Sequence, residues 1–455
     1  MRSRIAHWLG SLGAHPAFLG LASTELCERF ALAGLKALLT LILLDHVLTA
    51  QGGAVLGLAF LRSHLEGMFG SLSDVAFASQ IYGLANALLY LCVPLCGLLG
   101  DLAIGRERAV LIGGGLMVTG LLMTASLWLT LPGLFAFAIG VGAVKGNLAA
   151  QVSEVFETDA ERRSGYALYL GFLNAGQIAG PLICGALAAT LGWMFGLLAA
   201  AAGLIVGLVI YSSTASRRKT QVALRSHTNA SVDPRGHKSL RALPLLMVVI
   251  LAIFLCFAAY EQVYNIVVWW ASQQVEMHVG QFDVPASWIL ALDGLLTLLW
   301  IAATEWAFRA ARRRHWEIAE LPRIIAGCAF CAAGYVVLAL ATVLSGNEPV
   351  SFMWLLAYLV LVDLAIVLVW PAGLSLITAQ APRALVGMLV GVFYLHGFFA
   401  NLWVGASGAF YDRMPLPQFW ALHAALAAGG GLLLLITGAP LSQLIRSRQA
   451  ITTVA

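Results

Sequence analysis

The run Ser23-Thr24-Glu25-Leu26-Cys27-Glu28-Arg29-Phe30-Ala31-Leu32-Ala33-Gly34-Leu35-Lys36 sets four ionisable groups into an otherwise apolar stretch. At 100° per residue, with Glu25 as the origin, Glu28 falls at about −60°, Arg29 at about +40° and Lys36 at about +20°. The four therefore share one helix face, about three turns long. More ionisable or polar residues recur inside apolar runs: Lys145 in Val141-Gly142-Ala143-Val144-Lys145-Gly146-Asn147, Asn174 in Leu173-Asn174-Ala175-Gly176, Tyr260-Glu261-Gln262-Val263-Tyr264-Asn265, Asp293-Gly294, and Asp363 ahead of Pro371. A charge inside a long apolar helix is costly and is by default a functional hypothesis. The acids are Glu25, Glu28, Glu261, Asp293 and Asp363, against the bases Arg29, Lys36 and Lys145. A surplus of carboxylate suits proton carriage, since a carboxylate whose hold on a proton depends on a nearby Arg or Lys can load on one side and unload on the other. The bases freed by protonation can then hold an anionic group.

Other chemistries lack support. No Ser/His/Asp or Cys/His constellation forms a recognisable motif, so no catalytic residues are assigned and no enzyme is expected. The histidines sit mostly in loops or near helix ends; His396 is the exception, and a packed core histidine is the expected reading for it. The glycines around Lys145 and Asn174 lie within apolar helices and suit close helix packing rather than a phosphate loop, which needs a strand before it and a helix after it. Cys328-x-x-Cys331 has no second pair. No metal and no cofactor beyond the proton as coupling ion are expected. The seven cysteines read as small packing residues, not as a disulfide framework.

The elements that position these residues follow from composition. Of 455 residues, 60% are hydrophobic and 11% charged, which excludes a soluble globule, and a net charge of +4, dispersed along the chain, does not suit a nucleic-acid surface. A bilayer-spanning helix needs about 20 mostly apolar residues, and about twelve such runs occur: Phe18–Leu44, Ala76–Leu99, Ala109–Leu131, Leu134–Val155, Gly165–Leu187, Trp193–Tyr211, Leu243–Trp270, Ser287–Phe308, Ile324–Leu344, Val350–Ala379, Leu385–Tyr411 and Phe419–Leu441. Lys and Arg collect in alternate loops, at Arg2 and Arg4, Arg106 and Arg108, Arg162 and Arg163, Arg217 to Arg241, Arg309 to Arg323, Arg383, and Arg446 and Arg448, while the opposite side holds only Arg62 and Arg413. The positive-inside rule then puts both termini in the cytoplasm. Met1 to Ala17 has no cleavage-site pattern, so no removable signal peptide is expected. The basic linker 212–241 divides the spans into a six-helix bundle over 1–211 and another over 242–455, the two halves that alternating access requires. The sequon Asn229-Ala230-Ser231 in that linker reads as chance, and the stretch Asp45 to Asp74 receives no function.

These residues resemble the proton-coupled oligopeptide transporter family of the major facilitator superfamily, over nearly the whole chain. Glu25-x-x-Glu28-Arg29-Phe30 is similar to the family's first-helix signature, Gly97-x-x-Gly100-Asp101 with Gly105-Arg106 to the loop after helix two, Lys145-x-Asn147 to the fourth-helix Lys-Pro-Asn, and Asn174 falls in the fifth-helix signature. Glu261-Gln262 resembles the seventh-helix Glu-Gln, Pro285-Ala286-Ser287-Trp288 with Asp293-Gly294 the eighth-helix segment, and Pro371-x-Gly373-Leu374-Ser375 with Ala381-Pro382 the tenth. The resemblance implies an all-α integral membrane protein with the major facilitator fold, acting as a monomeric proton symporter that imports di- and tripeptides. It implies further that Glu25, Glu28, Arg29 and Lys145 handle the proton together with Glu261, that Lys36 and Glu261 form an extracellular gate, and that Lys36, Lys145 and Asn174 contact the peptide carboxylate. A bacterial inner membrane fits the basic loops.

The departures concern the pocket. Leu32, Ala33 and Ala85 stand where the family has tyrosines, and Ile366 stands where its tenth-helix glutamate binds the peptide amine. Asp293 is the first candidate to replace that anchor and Asp363 the second. A second reading keeps the scaffold but changes the cargo to an amino-acid-like or anionic solute. A non-transporting membrane receptor and a drug/proton antiporter are weaker alternatives. The short linker has no room for two extra helices, so twelve spans are expected rather than fourteen.

Overall fold

Lipid offers a peptide group no hydrogen-bond partner, so long apolar runs cross a bilayer as helices. In the computed structural model, which describes residues 16–49, 55–156, 159–214, 243–279, 281–316, 318–346, 348–380 and 386–452, fourteen α-helices carry nearly all of the described chain. They are α1 (Pro16–Ile42), α2 (Leu58–Phe69), α3 (Asp74–Leu99), α4 (Arg106–Ala125), α5 (Thr130–Val155), α6 (Asp159–Leu191), α7 (Trp193–Ser213), α8 (Leu243–Tyr260), α9 (Ile266–Gln274), α10 (Ile289–Arg313), α11 (Glu320–Ser345), α12 (Phe352–Gln380), α13 (Val386–Tyr411) and α14 (Leu416–Thr452). A two-residue hairpin, β1 (His278–Val279) with β2 (Phe282–Asp283), joins α9 to α10.

Eleven of the helical stretches among the described residues are long and apolar enough to span a membrane. The remaining expected span, Leu385–Tyr411, coincides with the 26-residue helix α13. The protein is thus a multi-pass membrane protein. Most of the linker 212–241, its sequon, and the Ala381-Pro382 pair lie outside the described residues. Between the first two spans, α1 ends in a π-helical turn at Leu43–Val47 and the short helix α2 follows, with Phe60 and Met68 exposed.

The chain divides into two compact units. The first comprises Met1–Leu65, Leu88–Asp233 and Ser287–Gly294; the second comprises Glu66–Ala87, Pro234–Ala286 and Leu295–Ala455. In the first unit α1 packs on α6 and α7, and α4 on α5 and α7. The glycines that the sequence suggested for close packing do that work. A Cβ on Gly146 would meet the backbone nitrogen of Gly97 at 2.8 Å, and one on Gly180 would meet that of Gly34 at 2.9 Å. Backbones this close bring the side chains of α1, α5 and α6 within reach of one another. In the second unit α8 packs on α13 and α14, and α11 on α12 and α14.

One expectation needs correction. The seventh span is not one unbroken helix from Leu243 to Trp270: α8 stops at Tyr260, residues Glu261–Tyr264 form a 3₁₀ turn, and Asn265 (φ −126°, ψ −96°) leads into α9. A 3₁₀ turn within a span needs partners for the polar groups it turns inward, and the second unit supplies them, as described below.

Candidate functional site

Glu25, Glu28 and Arg29 project from α1, Lys145 from α5 and Tyr169 from α6, and they converge into one buried cluster of the first unit. Arg29 Nε donates to Glu25 Oε1 at 3.0 Å, and the hydroxyl of Tyr169 donates to Glu25 Oε2 at 2.6 Å. Glu28 lies between the two cations, with Oε2 at 3.6 Å from Arg29 Nε and Oε1 at 3.8 Å from Lys145 Nζ. Glu28 is 0% exposed and Glu25 3%. Both distances at Glu28 exceed hydrogen-bond length, and neither of its oxygens has a hydrogen-bond partner. Two acids and two bases thus face one another across α1 and α5, with unequal hydrogen bonding. Carboxylates and cations held this closely can exchange partners when one carboxylate gains or loses a proton.

The surrounding polar residues lock the helices that carry the cluster. Asn147 donates from Nδ2 to the carbonyls of Cys96 on α3 (3.0 Å) and Ala143 on its own helix (2.9 Å). The hydroxyl of Tyr211 on α7 donates to Gln151 Oε1 on α5 at 2.9 Å. Thr24 donates to the carbonyls of Gly20 (2.7 Å) and of Gly207 on α7 (3.3 Å). Asn174, buried on α6, donates to the carbonyl of Leu170 at 2.7 Å. Lys36, half-buried, stands two turns beyond Arg29 on α1.

Asp293 belongs to the first unit. Its segment packs on α6: the indole of Trp288 donates to the carbonyl of Leu182 at 3.1 Å, and Gly294 lies against Ile178 and Gln177. Ile178 is one turn from Asn174 on α6, so the buried Asp293 and Asn174 attach to neighbouring parts of one helix. Asp363 belongs to the second unit. It is fully buried on α12 and accepts from the hydroxyl of Thr297 on α10 at 3.0 Å, beside the indole of Trp300, which donates to the carbonyl of Val360 at 2.9 Å.

Glu261 and Gln262 begin the 3₁₀ turn of the second unit. Gln262 Nε2 donates to Ser407 Oγ on α13 at 2.7 Å and lies 3.3 Å from Nε2 of His423 on α14. His423 Nδ1 is 2.9 Å from the carbonyl of Phe419, which can only accept; Nδ1 therefore carries the proton and Nε2 accepts from Gln262. The hydroxyl of Tyr335 on α11 donates to the carbonyl of Ala259 at 2.5 Å, just before the break, and itself accepts from Tyr358 at 2.9 Å. His423, 0% exposed among the rings of Phe419 and Tyr335, escaped the sequence reading, which took the histidines to lie mostly in loops and near helix ends. Tyr169 escaped it as well. His396 packs as the core reading expects, against Phe257 and Phe393, with Nδ1 on the carbonyl of Phe393.

This architecture defines a class, the helical membrane transporters built from two units, and residues 46–405 match the profile of the Major Facilitator Superfamily. The chain belongs to that superfamily. It is 24% identical to the peptide transporter YePEPT of Yersinia enterocolitica, over 94% of this chain and 95% of that one. Among solved structures, its fold matches a peptide transporter of the POT family bound to sulfate (TM-score 0.78, 19% identity, 94% and 95% of the two chains). It also matches a POT-family transporter in complex with 5-aminolevulinic acid (TM-score 0.75, 16% identity, 92% and 95%). The resemblance to the proton-coupled oligopeptide transporters is borne out.

Proposed function

We propose that this protein is a proton-driven symporter that imports di- and tripeptides by alternating access. The observation that carries the reading is the buried cluster of Glu25, Glu28, Arg29 and Lys145, in which protonation of one carboxylate releases a cation toward an anionic group. Lys145, Asn174 and Lys36 are the groups that would receive the peptide carboxylate. Lys36 of the first unit and Glu261 of the second would form the extracellular gate, and Glu261 would share in proton handling. Asp293 takes over the amine, with Asp363 as the next candidate. The support for Asp293 is its burial and its attachment to α6 beside Asn174, in the unit that also carries Lys36 and Lys145. The working form is a monomer in a bacterial inner membrane with both termini cytoplasmic, a reading supported by the basic loops.

Purified protein in liposomes with an inward proton gradient tests this. Dialanine and trialanine should accumulate and N-acetylated dialanine should not; Glu25→Gln and Lys145→Ala should each abolish accumulation. Retained accumulation in either variant defeats the coupling assignment. If Asp293→Asn leaves both uptake and its pH dependence unchanged, the amine assignment is wrong.

The second reading keeps the proton cluster and changes the cargo to an amino-acid-like or anionic solute. Ile366 in place of an acid favours it, and so does a structural neighbour that holds 5-aminolevulinic acid. Absence of peptide uptake from folded protein, with uptake of such a solute, would select it.

A further inference from the structure

One flank of α10, all of it in the second unit, changes its chemistry along its length. At 100° per residue, with Leu295 as the origin, Leu299 falls at about +40°, Trp306 at about +20°, Arg309 at about −40° and Arg313 at about 0°. All five are exposed, Trp306 to 74%. A rise of about 1.5 Å per residue puts the indole about 10 Å beyond Leu299 and Arg313 about 10 Å beyond the indole. A phospholipid presents the matching order of acyl chain, interface and phosphate, and tryptophan collects at the interface. Arg312, Arg313 and Arg314 are the sequence's only run of three arginines. Arg309 is paired with Glu305 at 3.2 Å, whereas among the described residues these three have no partner. Nor does capping use them. The chain reverses at His315 (φ 57°), where the N–H of His315 donates to the carbonyl of Arg312 and that of Trp316 to the carbonyl of Ala311, each at 3.0 Å. Just past that turn Trp316 is 75% exposed. The helix dipole favours cations in a last turn, but it asks nothing of two exposed tryptophans.

We propose that this end of α10 binds an anionic phospholipid of the adjoining leaflet, with Arg312, Arg313 and Arg314 on the headgroup phosphate and Trp306 at the level of the glycerol. Guanidinium groups match phosphate oxygens in shape as well as charge. Three cations without partners select a net-negative headgroup over a zwitterionic one, since each basic residue near a membrane surface adds its own attraction. A free phosphate shares that chemistry, but the exposed leucines and indole that continue the stripe serve only a molecule with acyl chains. The surface is continuous with the lipid-facing flank of the same helix, so the headgroup is held where the chains already lie. In the orientation proposed above, this is the cytoplasmic leaflet. The site shares no residue with the charge cluster or the substrate groups, and it stands whether or not the symporter reading does.

Native mass spectrometry of the full-length protein in detergent, titrated with phosphatidylglycerol or phosphatidylcholine, counts bound lipids and needs no transport. The wild type should retain phosphatidylglycerol at concentrations where phosphatidylcholine is lost. Combining Arg312→Gln, Arg313→Gln and Arg314→Gln should weaken phosphatidylglycerol binding about fivefold per charge, about a hundredfold in all, and leave phosphatidylcholine binding unchanged. The matching set of Arg→Lys changes should keep most of the preference. Arg309→Gln, which removes a charge already paired with Glu305, should cost less than Arg313→Gln. Inorganic phosphate should not displace the lipid. Equal retention of the two lipids by the wild type overturns the proposal, and so does an undiminished preference in the triple glutamine variant. Displacement by inorganic phosphate also overturns it, by making the arginines a site for a free anion. If the triple variant fails to fold, Arg313→Gln alone, a single exposed substitution, decides by the presence or absence of its fivefold loss.

Discussion

The buried cluster around Glu28 in the first unit is held by opposite charges, whereas the side chains that hold the 3₁₀ turn of the second unit, which also buries the acids Glu261 and Asp363, are neutral. Around Glu28 two acids face two bases across α1 and α5, while at the turn the Gln262 amide bonds a hydroxyl and an imidazole, and a separate pair of phenols bonds the carbonyl of Ala259. The two kinds of site respond differently to a proton. A set of ion pairs can redistribute when a proton arrives, because the balance of charge changes. A network of neutral groups has no charge to redistribute, and here its hydrogen bonds hold the 3₁₀ turn that begins at Glu261.

Lys145→Ala should break this contrast most severely. It leaves the buried carboxylate of Glu28 with Arg29 alone, so proton-driven uptake should fall to the level of empty liposomes, and unfolding free energy should drop by about 3–5 kcal/mol. Uptake assays and thermal unfolding in detergent check both effects. Gln262→Ala should cost about 1–3 kcal/mol of stability, by stranding Ser407 and His423 in a buried site, while the proton dependence of the residual uptake keeps its wild-type form. A change in that dependence would show that the second network titrates too. A double-mutant cycle on Lys36→Ala and Glu261→Ala should give a coupling energy of about 0.5–3 kcal/mol in transport rate, and strict additivity would separate the two residues. The smallest effect is expected for His396→Phe, which replaces one ring by another among Phe257 and Phe393. It should leave the pH profile of uptake unchanged, with a stability loss of about 1 kcal/mol.

Much of the candidate site could be read one residue at a time. Helical periodicity alone puts Glu25, Glu28, Arg29 and Lys36 on one face, and the cost of a charge in lipid marks these and Lys145 as functional candidates; the meeting of Glu28 with Lys145 belongs to the packing of α1 against α5. The glycines of α5 and α6 foretell close contacts for the same local reason: they lack a side chain. Tyr169 could not be found this way. A tyrosine in an apolar helix is ordinary, and only the rotation of α6 against α1 brings its hydroxyl to Glu25, 144 residues away in sequence. His423 and Gln262, 161 residues apart, were hidden for the same reason. The break after Tyr260 was hidden too, since the turn depends on partners supplied by α11, α13 and α14.

The sequence by itself determined that the chain lives in a bilayer, where its helices run, and which few charges must be neutralised there. Those properties follow from composition and local periodicity, which each segment carries alone. Only the tertiary structure decided which oxygen meets which donor. It put both oxygens of Glu25 on donors and left Glu28 between two more distant cations, and it assigned Asp293 to the unit of Lys145 and Asp363 to the other. Hydrogen bonds depend on tenths of an ångström and on angle, and only the packing of helices distant in the chain sets distances that finely.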